Sequence, residues 1–293
     1  MGASPTFYVD LNPLWPEVSG PPAMRLPNPF LTLYRHRDLV AQFTKRELQL
    51  RHKGSRLGHF WALLAPLTML GLYFFVFGFI FGGKFGAIPQ ESPFDYALGL
   101  FLSLSLFNVI AQAIAVAPLL IASQPNYVKK VVFPLEIIPL ATVASSLYYA
   151  FLSLVLLLPF IPFSHATLSW QILALLLLLL PLALLALGVV WGLAALGVFI
   201  RDINHVTTFL STAIMFSSAV FYSRDKLMIH PRIWAWLKYN PLLWIFEEAR
   251  KIVLWHTPLD YGALGYIYLC AFVTVALGYT LFSILRPYFA EVI

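Results

Sequence analysis

The sequence predicts an all-α integral membrane protein: six transmembrane helices, an N-terminal amphipathic interface helix, and re-entrant helices before the last span. Three observations lead there. The chain is 60% hydrophobic and 11% charged, with a mean hydropathy of +0.80, whereas soluble domains carry about a quarter charged residues. Apolar stretches of about 20 residues, enough to cross a bilayer, recur along it. Positive charge is placed asymmetrically around them. The basic run Arg51-His52-Lys53-Gly54-Ser55-Arg56-Leu57-Gly58 abuts His59–Phe81, a stretch without Asp, Glu, Lys or Arg. Lys and Arg stay on the cytoplasmic side of a span, so this junction sets the N-terminus inside.

Residues 1–28 are rich in proline and lack apolar periodicity, and read as an extended cytoplasmic tail without the charged start and short apolar core of a signal peptide. Asn28-Pro29 reads as a helix start, with Asn as cap and Pro in the first turn. Within 29–57, Leu39, Phe43, Leu50 and Leu57 fall inside about 40° of one another at 100° per residue, and Arg46 lies on their stripe. The pattern suits a basic helix lying in the inner interface, or one packed on protein. The transmembrane domain then fills 58–288.

Its six spans are expected at about 59–82, 96–122, 137–162, 171–200, 206–222 and 263–285. The fourth is over-long for a hydrocarbon core of about 30 Å and must tilt, kink at Pro181 or emerge; the fifth is at the short limit. Twelve of the nineteen Lys and Arg fall in regions assigned inside, eight of them before the first span, and the first two outer loops hold only Lys84. Both termini and the 123–136 loop are therefore placed inside. The third outer segment, 223–262, holds six Lys and Arg, but long segments weigh less in this rule. That segment mixes aromatics from Ile233 to Phe246 with an Asn240-Pro241 break. It is too apolar for a free loop and too interrupted for a span. Two short helices dipping back from outside fit it, a geometry tolerated where the backbone is covered by protein or faces a wet cavity. A structured outer cap is the alternative.

No phosphate-cradling GxxxxGK[ST] loop, HExxH, CxxC or GxSxG occurs, and no expected span carries a central Asp or Glu, which disfavours proton or sodium coupling. Cys270, the sole cysteine, reads as a small packing residue. The net charge of +6 is concentrated where anionic lipid attracts it and does not indicate nucleic-acid binding.

Four segments carry a resemblance. They are Arg51 to Pro66 entering the first span, Asn126 to Pro139 after the second, Phe199-Ile200-Arg201-Asp202-Ile203 after the fourth, and Asn240-Pro241-Leu242 followed by Glu247 and Arg250. In order and in register, they resemble ABC-2-type permeases of the polysaccharide-export branch, over about Leu39 to Arg250. The resemblance implies a subunit that moves a lipid-linked glycan such as O-antigen, capsule or teichoic acid across the bacterial cytoplasmic (inner) membrane. It also implies a dimer with a second copy of itself and a cytoplasmic ABC ATPase. This chain would then hold no cofactor and catalyse nothing, with ATP and Mg on the partner subunit.

The resemblance makes the inner loop a helix that docks on the ATPase. Pro125 would open it and Phe133-Pro134 end it, with Tyr127, Val128 and Val131 as apolar anchors, Lys129 and Lys130 supporting them, and Asn126 and Phe133 in the same coupling segment. A sugar polymer needs a wet path with aromatic faces for its C–H surfaces. Tyr73, Phe74, Phe77, Tyr148, Tyr149, Phe216, Phe221 and Tyr222 are candidates, lipid-facing or core packing being the alternative for each. Arg51, Lys53 and Arg56 are candidates for the substrate's phosphate linkage, or for lipid contact and orientation alone. Asn240, Pro241, Glu247 and Arg250 are candidates for an outer gate, with Glu247 and Arg250 spaced to pair on one helix. Rival functions are export of a drug or lipid, or an integral-membrane enzyme acting on polyprenyl-linked sugars, for which no convergent acid or His set is present.

Overall fold

The computed structural model describes residues 35–51, 60–86, 90–129, 133–166, 169–255 and 257–293. The tail at 1–28, the helix start at Asn28-Pro29, Leu57, and the candidate residues Lys53, Arg56, Lys130 and Val131 lie outside them. Among the described residues every regular element is helical.

Five helical stretches are long and apolar enough to cross a membrane: Trp61–Ile80, Pro93–Leu120, Ile137–Phe163, Trp170–Phe199 and Tyr261–Val292. Their α-helical parts are α2 (Trp61–Tyr73), α3 (Pro93–Leu120), α5 (Ile137–Leu157), α6 (Leu175–Phe199) and α11 (Tyr261–Leu285). α1 (Arg37–Arg51) precedes them, and α4 (Pro125–Lys129) lies between α3 and α5. The expected fifth span differs from its prediction. Helix α7 runs Ile203–Ser217, 15 residues, or about 22 Å at 1.5 Å per residue. That falls short of a 30 Å core, because the chain turns at Ser218 and Ala219, the latter at φ 54°. Three short helices follow where two were expected: α8 (Arg224–Met228), α9 (Pro231–Leu237) and α10 (Pro241–Arg250), with a π turn over Lys251–Trp255. The C-terminal α12 (Phe289–Val292) closes the chain.

Local chemistry explains the ends. Ser92 and Asp95 form a reciprocal capping box on α3, with Pro93 in the first turn, so this helix begins three residues earlier than hydropathy indicates. Asp260 caps α11 through Gly262 N and Ala263 N. The first span relaxes from α into a π stretch over Phe74–Ile80. Pro181 is accommodated inside α6, which continues as one helix to Phe199.

The core is built around α3 and α6. The best-packed 18-residue window of α3 is 72% buried, against 11% for the first span. Helix α6 packs most extensively on α11, then on α3. This closeness depends on glycine. A Cβ on Gly278 would stand 2.0 Å from Gly188 O, and one on Gly197 would stand 2.1 Å from Pro118 O. Small residues let helices approach where lipid gives no hydrophobic drive to associate.

Helix α1 has no fully buried residue, and it packs along α5. Its half-buried positions include Leu39, Val40, Phe43, Thr44 and Leu48, whereas Leu50 is 46% exposed. Leu50, on the same stripe, lies in the last turn of α1, where less protein covers it. Arg46 lies 5.7 Å over the Phe43 ring.

The glycine crossing gives a direct test. Gly278→Leu should lower the thermal unfolding midpoint in detergent, overpacking costing roughly 1–3 kcal/mol or more. Gly265→Leu, with open space around its Cβ, should leave the midpoint unchanged or raise it.

Candidate functional site

Two features stand out: a polar groove beside the first span, and a buried cation under the short helices α8 to α10.

The groove has a cavity volume of about 320 Å³ between α2, α3 and α5. On α3, Ser105, Asn108 and Gln112 line it; on α5, Ser146, Tyr149 and Ser153 do. Both sets follow i, i+3 (or i+4), i+7 spacing, one face of a helix. The first span contributes Trp61, Pro66, Met69 and Tyr73. Polar side chains within a span cost free energy unless they meet a cavity or one another, and here they face each other. Ser146 Oγ donates to Thr142 O at 3.1 Å and Ser153 Oγ to Tyr149 O at 3.0 Å. Arg51 also lines the groove, its guanidinium 4.5 Å over the Tyr149 ring. Desolvation lowers the Arg51 pKa from its ordinary value, and a guanidinium starting that high stays charged.

The candidate aromatics divide. Tyr73 and Tyr149 line the groove. Tyr73, Phe77, Phe221 and Phe216 form a chain of rings with successive centroids 6.3, 5.8 and 5.6 Å apart, joining the first span to the end of α7. Phe74 packs on Phe94 instead. Tyr148 is 42% exposed, edge-on to Tyr149, and does not line the groove. Tyr222 donates its hydroxyl to Phe216 O. Serine, Asn and Gln positions on α3 and α5 were missed by sequence reasoning, although their helical spacing inside apolar spans was a readable signal.

Helices α8 to α10 are held by Arg250, whose side chain has no exposed surface. It donates to Glu247 Oε2 at 2.6 Å, Ser103 Oγ at 3.0 Å, Ala219 O at 2.8 Å and Tyr222 O at 3.4 Å. Its guanidinium also lies 4.5 Å over the Phe85 ring. The i,i+3 pair anticipated on α10 thus forms, within one chain and fully desolvated. Neighbouring bonds lock the same region. Glu91 accepts from Phe85 N and Gly86 N, Ser223 Oγ donates to Phe85 O, and Tyr96 OH donates to Phe221 O. Asn240 caps α10 by accepting from Leu242 N, and its amide donates to Ser217 O and Ser218 Oγ. Pro241 provides the first turn of that helix and lines a second, apolar cavity of about 590 Å³ against α6, α7 and α11.

At the opposite end, the docking candidates split between two faces. Asn126 and Lys129 on α4 are exposed. Tyr127 and Phe133 turn inward and form a triangle with Phe43 of α1, centroids 5.0–5.5 Å apart. Val128 is half-buried beside them. The rings of Tyr127 and Phe133, both half-buried, join α4 to α1 and also line a pocket with Val128 and Arg286. Arg286 pairs with Glu136 across the same end.

Arg250→Met should destabilise the protein in detergent by about 3–5 kcal/mol, since it leaves the Glu247 carboxylate buried and unpaired. Adding Glu247→Gln should recover part of that loss, because the orphaned charge disappears. Equal melting of single and double variants would mean the pair carries no coupling.

Comparison with known proteins places this geometry. The ABC-2 type transporter family matches residues 39–254. The chain is 25% identical over 267 residues to the O-antigen export system permease protein RfbA of Klebsiella pneumoniae, covering 87% of this chain and 95% of that protein. It is 24% identical over 246 residues to the polysialic acid transport protein KpsM of Escherichia coli, covering 81% and 89%. It is 30% identical over 218 residues to the inner membrane transport permease YadH of Escherichia coli K12, covering 69% and 75%. A match across most of the chain, onto a helical bundle of membrane-spanning length, makes the protein a member of the ABC-2 type transporter family.

Proposed function

We propose that the chain is the permease subunit of an ATP-driven exporter that carries a lipid-linked polysaccharide across the bacterial cytoplasmic membrane. The observation that carries this reading is the groove of α2, α3 and α5, with aligned polar stripes and aromatic faces. Sugar rings offer C–H faces to aromatics and hydroxyls to Ser, Asn and Gln. An apolar drug would gain little from Asn108 and Gln112. RfbA and KpsM, both named for cell-surface glycans, are relatives over more than four-fifths of this chain.

In this reading the groove's open side is completed by a second copy. The first span is the least buried of the five, with Leu63, Leu67, Leu72 and Phe75 exposed. Arg51 at the groove takes the phosphate linkage, by charge and planar hydrogen bonding. Energy comes from ATP and Mg on a separate cytoplasmic ATPase, which meets the exposed Asn126–Lys129 face of α4. Tyr127 and Phe133 then hold α4 against α1 rather than gripping the ATPase. Helices α8 to α10 form the outer gate, kept in place by Asn240, Glu247 and Arg250, with both termini on the cytoplasmic side.

Asn108→Leu with Gln112→Leu tests the groove. It should leave the chain in the membrane at normal amount, and lipid-linked polymer should build up inside cells while surface glycan falls. Normal surface glycan with both amides gone would reject the path. For topology, a cysteine at 126 in a Cys270→Ser background should react with an impermeant maleimide only after lysis. Labelling in intact cells would invert the orientation.

A further inference from the structure

A separate cavity of about 370 Å³ opens among the outer helices, between α9, α10 and the start of α11. Its lining includes four aromatic residues, Trp234, Tyr239, Trp244 and Tyr266, with Lys238 and Asp260. Neither the groove nor the Arg250 site uses it.

The walls are fixed in place. Trp244 Nε1 donates to Lys238 O at 2.8 Å and Tyr266 OH to Tyr239 O at 2.6 Å. These bonds spend the rings' polar edges on the turn before Asn240 and leave their apolar faces to the cavity. Trp234 and Trp244 meet at 63°, centroids 6.0 Å apart, so the two indoles form a corner rather than a flat stack. Lys238 Nζ lies 4.9 Å from the Tyr239 ring centre. Asp260 makes both its capping bonds through Oδ1, so Oδ2 can accept from a bound hydroxyl. A pocket of this size sits near the small end of ligand sites, which run from about 300 to 1,000 Å³. Aromatic faces with one acceptor and one cation at the rim match the two surfaces of a sugar ring: its C–H face and its hydroxyl edge.

We propose that this cavity binds one or two sugar residues of the emerging polymer on the outer side of the gate. The assignment rests on the export reading above. Its side is set by contacts: Ser223 bonds Phe85 O and Lys226 bonds Lys84 O, which puts α8 to α10 with the loop after the first span, away from α4. Trp244 shares α10 with Glu247 and Arg250, so an occupied cavity adjoins the helix that closes the gate.

The test is photo-crosslinking in exporting cells, with p-benzoylphenylalanine at one of three positions. Position 239 is at the cavity, 69 in the groove, and 236 on an outer ring that is 82% exposed and outside the cavity lining. Purified chain is stained for covalently attached glycan by periodate oxidation and hydrazide, and for phospholipid by mass spectrometry. The expected result is glycan at 69 and 239 and little at 236. Trp234→Leu should then reduce the 239 adduct about two- to tenfold, the worth of one aromatic stack, without changing the adduct at 69. Glycan at 69 but not at 239 overturns the outer site and leaves the export reading standing. Phospholipid in place of glycan at 239, or equal glycan at 236 and 239, overturns it as well, the first showing a head-group anchor and the second a diffuse contact. Absence of glycan at all three positions removes the export reading and the outer site together.

Discussion

The half of the bundle that carries α8 to α10 depends on one buried charge. A guanidinium without exposed surface must meet its charge inside the protein, and Arg250 does so through its two terminal nitrogens and its face, with partners on four segments: α3, the turn after α7, α10 itself and the ring of Phe85, while its Nε stays unpaired. Each partner is a backbone or side-chain group that would otherwise lose hydration on burial. The left-handed Ala219, an uncommon conformation for a residue with a Cβ, offers its carbonyl to that cation. The turn that shortens α7 and the helix that carries Arg250 are thus mutually required. Short helices with few internal hydrogen bonds hold their place because an unpaired ion is the alternative.

A different logic governs the half that carries α1 and α4. There the tie is aromatic: Phe43, Tyr127 and Phe133 come from three separate segments, Phe43 and Tyr127 meeting edge to face and the other two pairs tilted. Such contacts are short-ranged and tolerate small rotations, unlike an ion pair in a dry site. The bundle between the two ends is locked by backbone contact at Gly188 and Gly278. The first span, by contrast, approaches the start of α3 by backbone only at Gly78, beside Pro93, and widens into a π turn.

Much of this was legible in the sequence. The five long spans follow from hydropathy because hydrocarbon length is a physical constant of the bilayer. Asn240-Pro241 announced its own cap, and Glu247 with Arg250 announced a pair, because both are local patterns. What failed was non-local. That Tyr127 packs on Phe43, more than eighty positions earlier, is encoded by no periodicity in the loop. The end of α7 was misjudged because Ser217, Ser218 and Ala219 are apolar enough to continue a span, while the bonds that stop them come from Asn240 and Arg250. Ser105, Asn108 and Gln112 were readable and passed over: each is mild alone, and only their common face gives them meaning.

The two walls of the groove differ in hydrogen-bond sense. On α5, the hydroxyl protons of Ser146 and Ser153 are already given to carbonyls one turn back, so toward the groove these oxygens offer lone pairs. On α3, Asn108 and Gln112 each bring an amide with two N–H donors. A sugar hydroxyl is donor and acceptor at once, and can give its proton to one wall while receiving one from the other. Neighbouring hydroxyls along a polymer repeat the same dual character at short intervals, so partners can be exchanged one at a time as the chain advances. Neutral bonds of this kind are each worth about 1 kcal/mol net, little more than thermal energy, and a surface built from them grips without pinning.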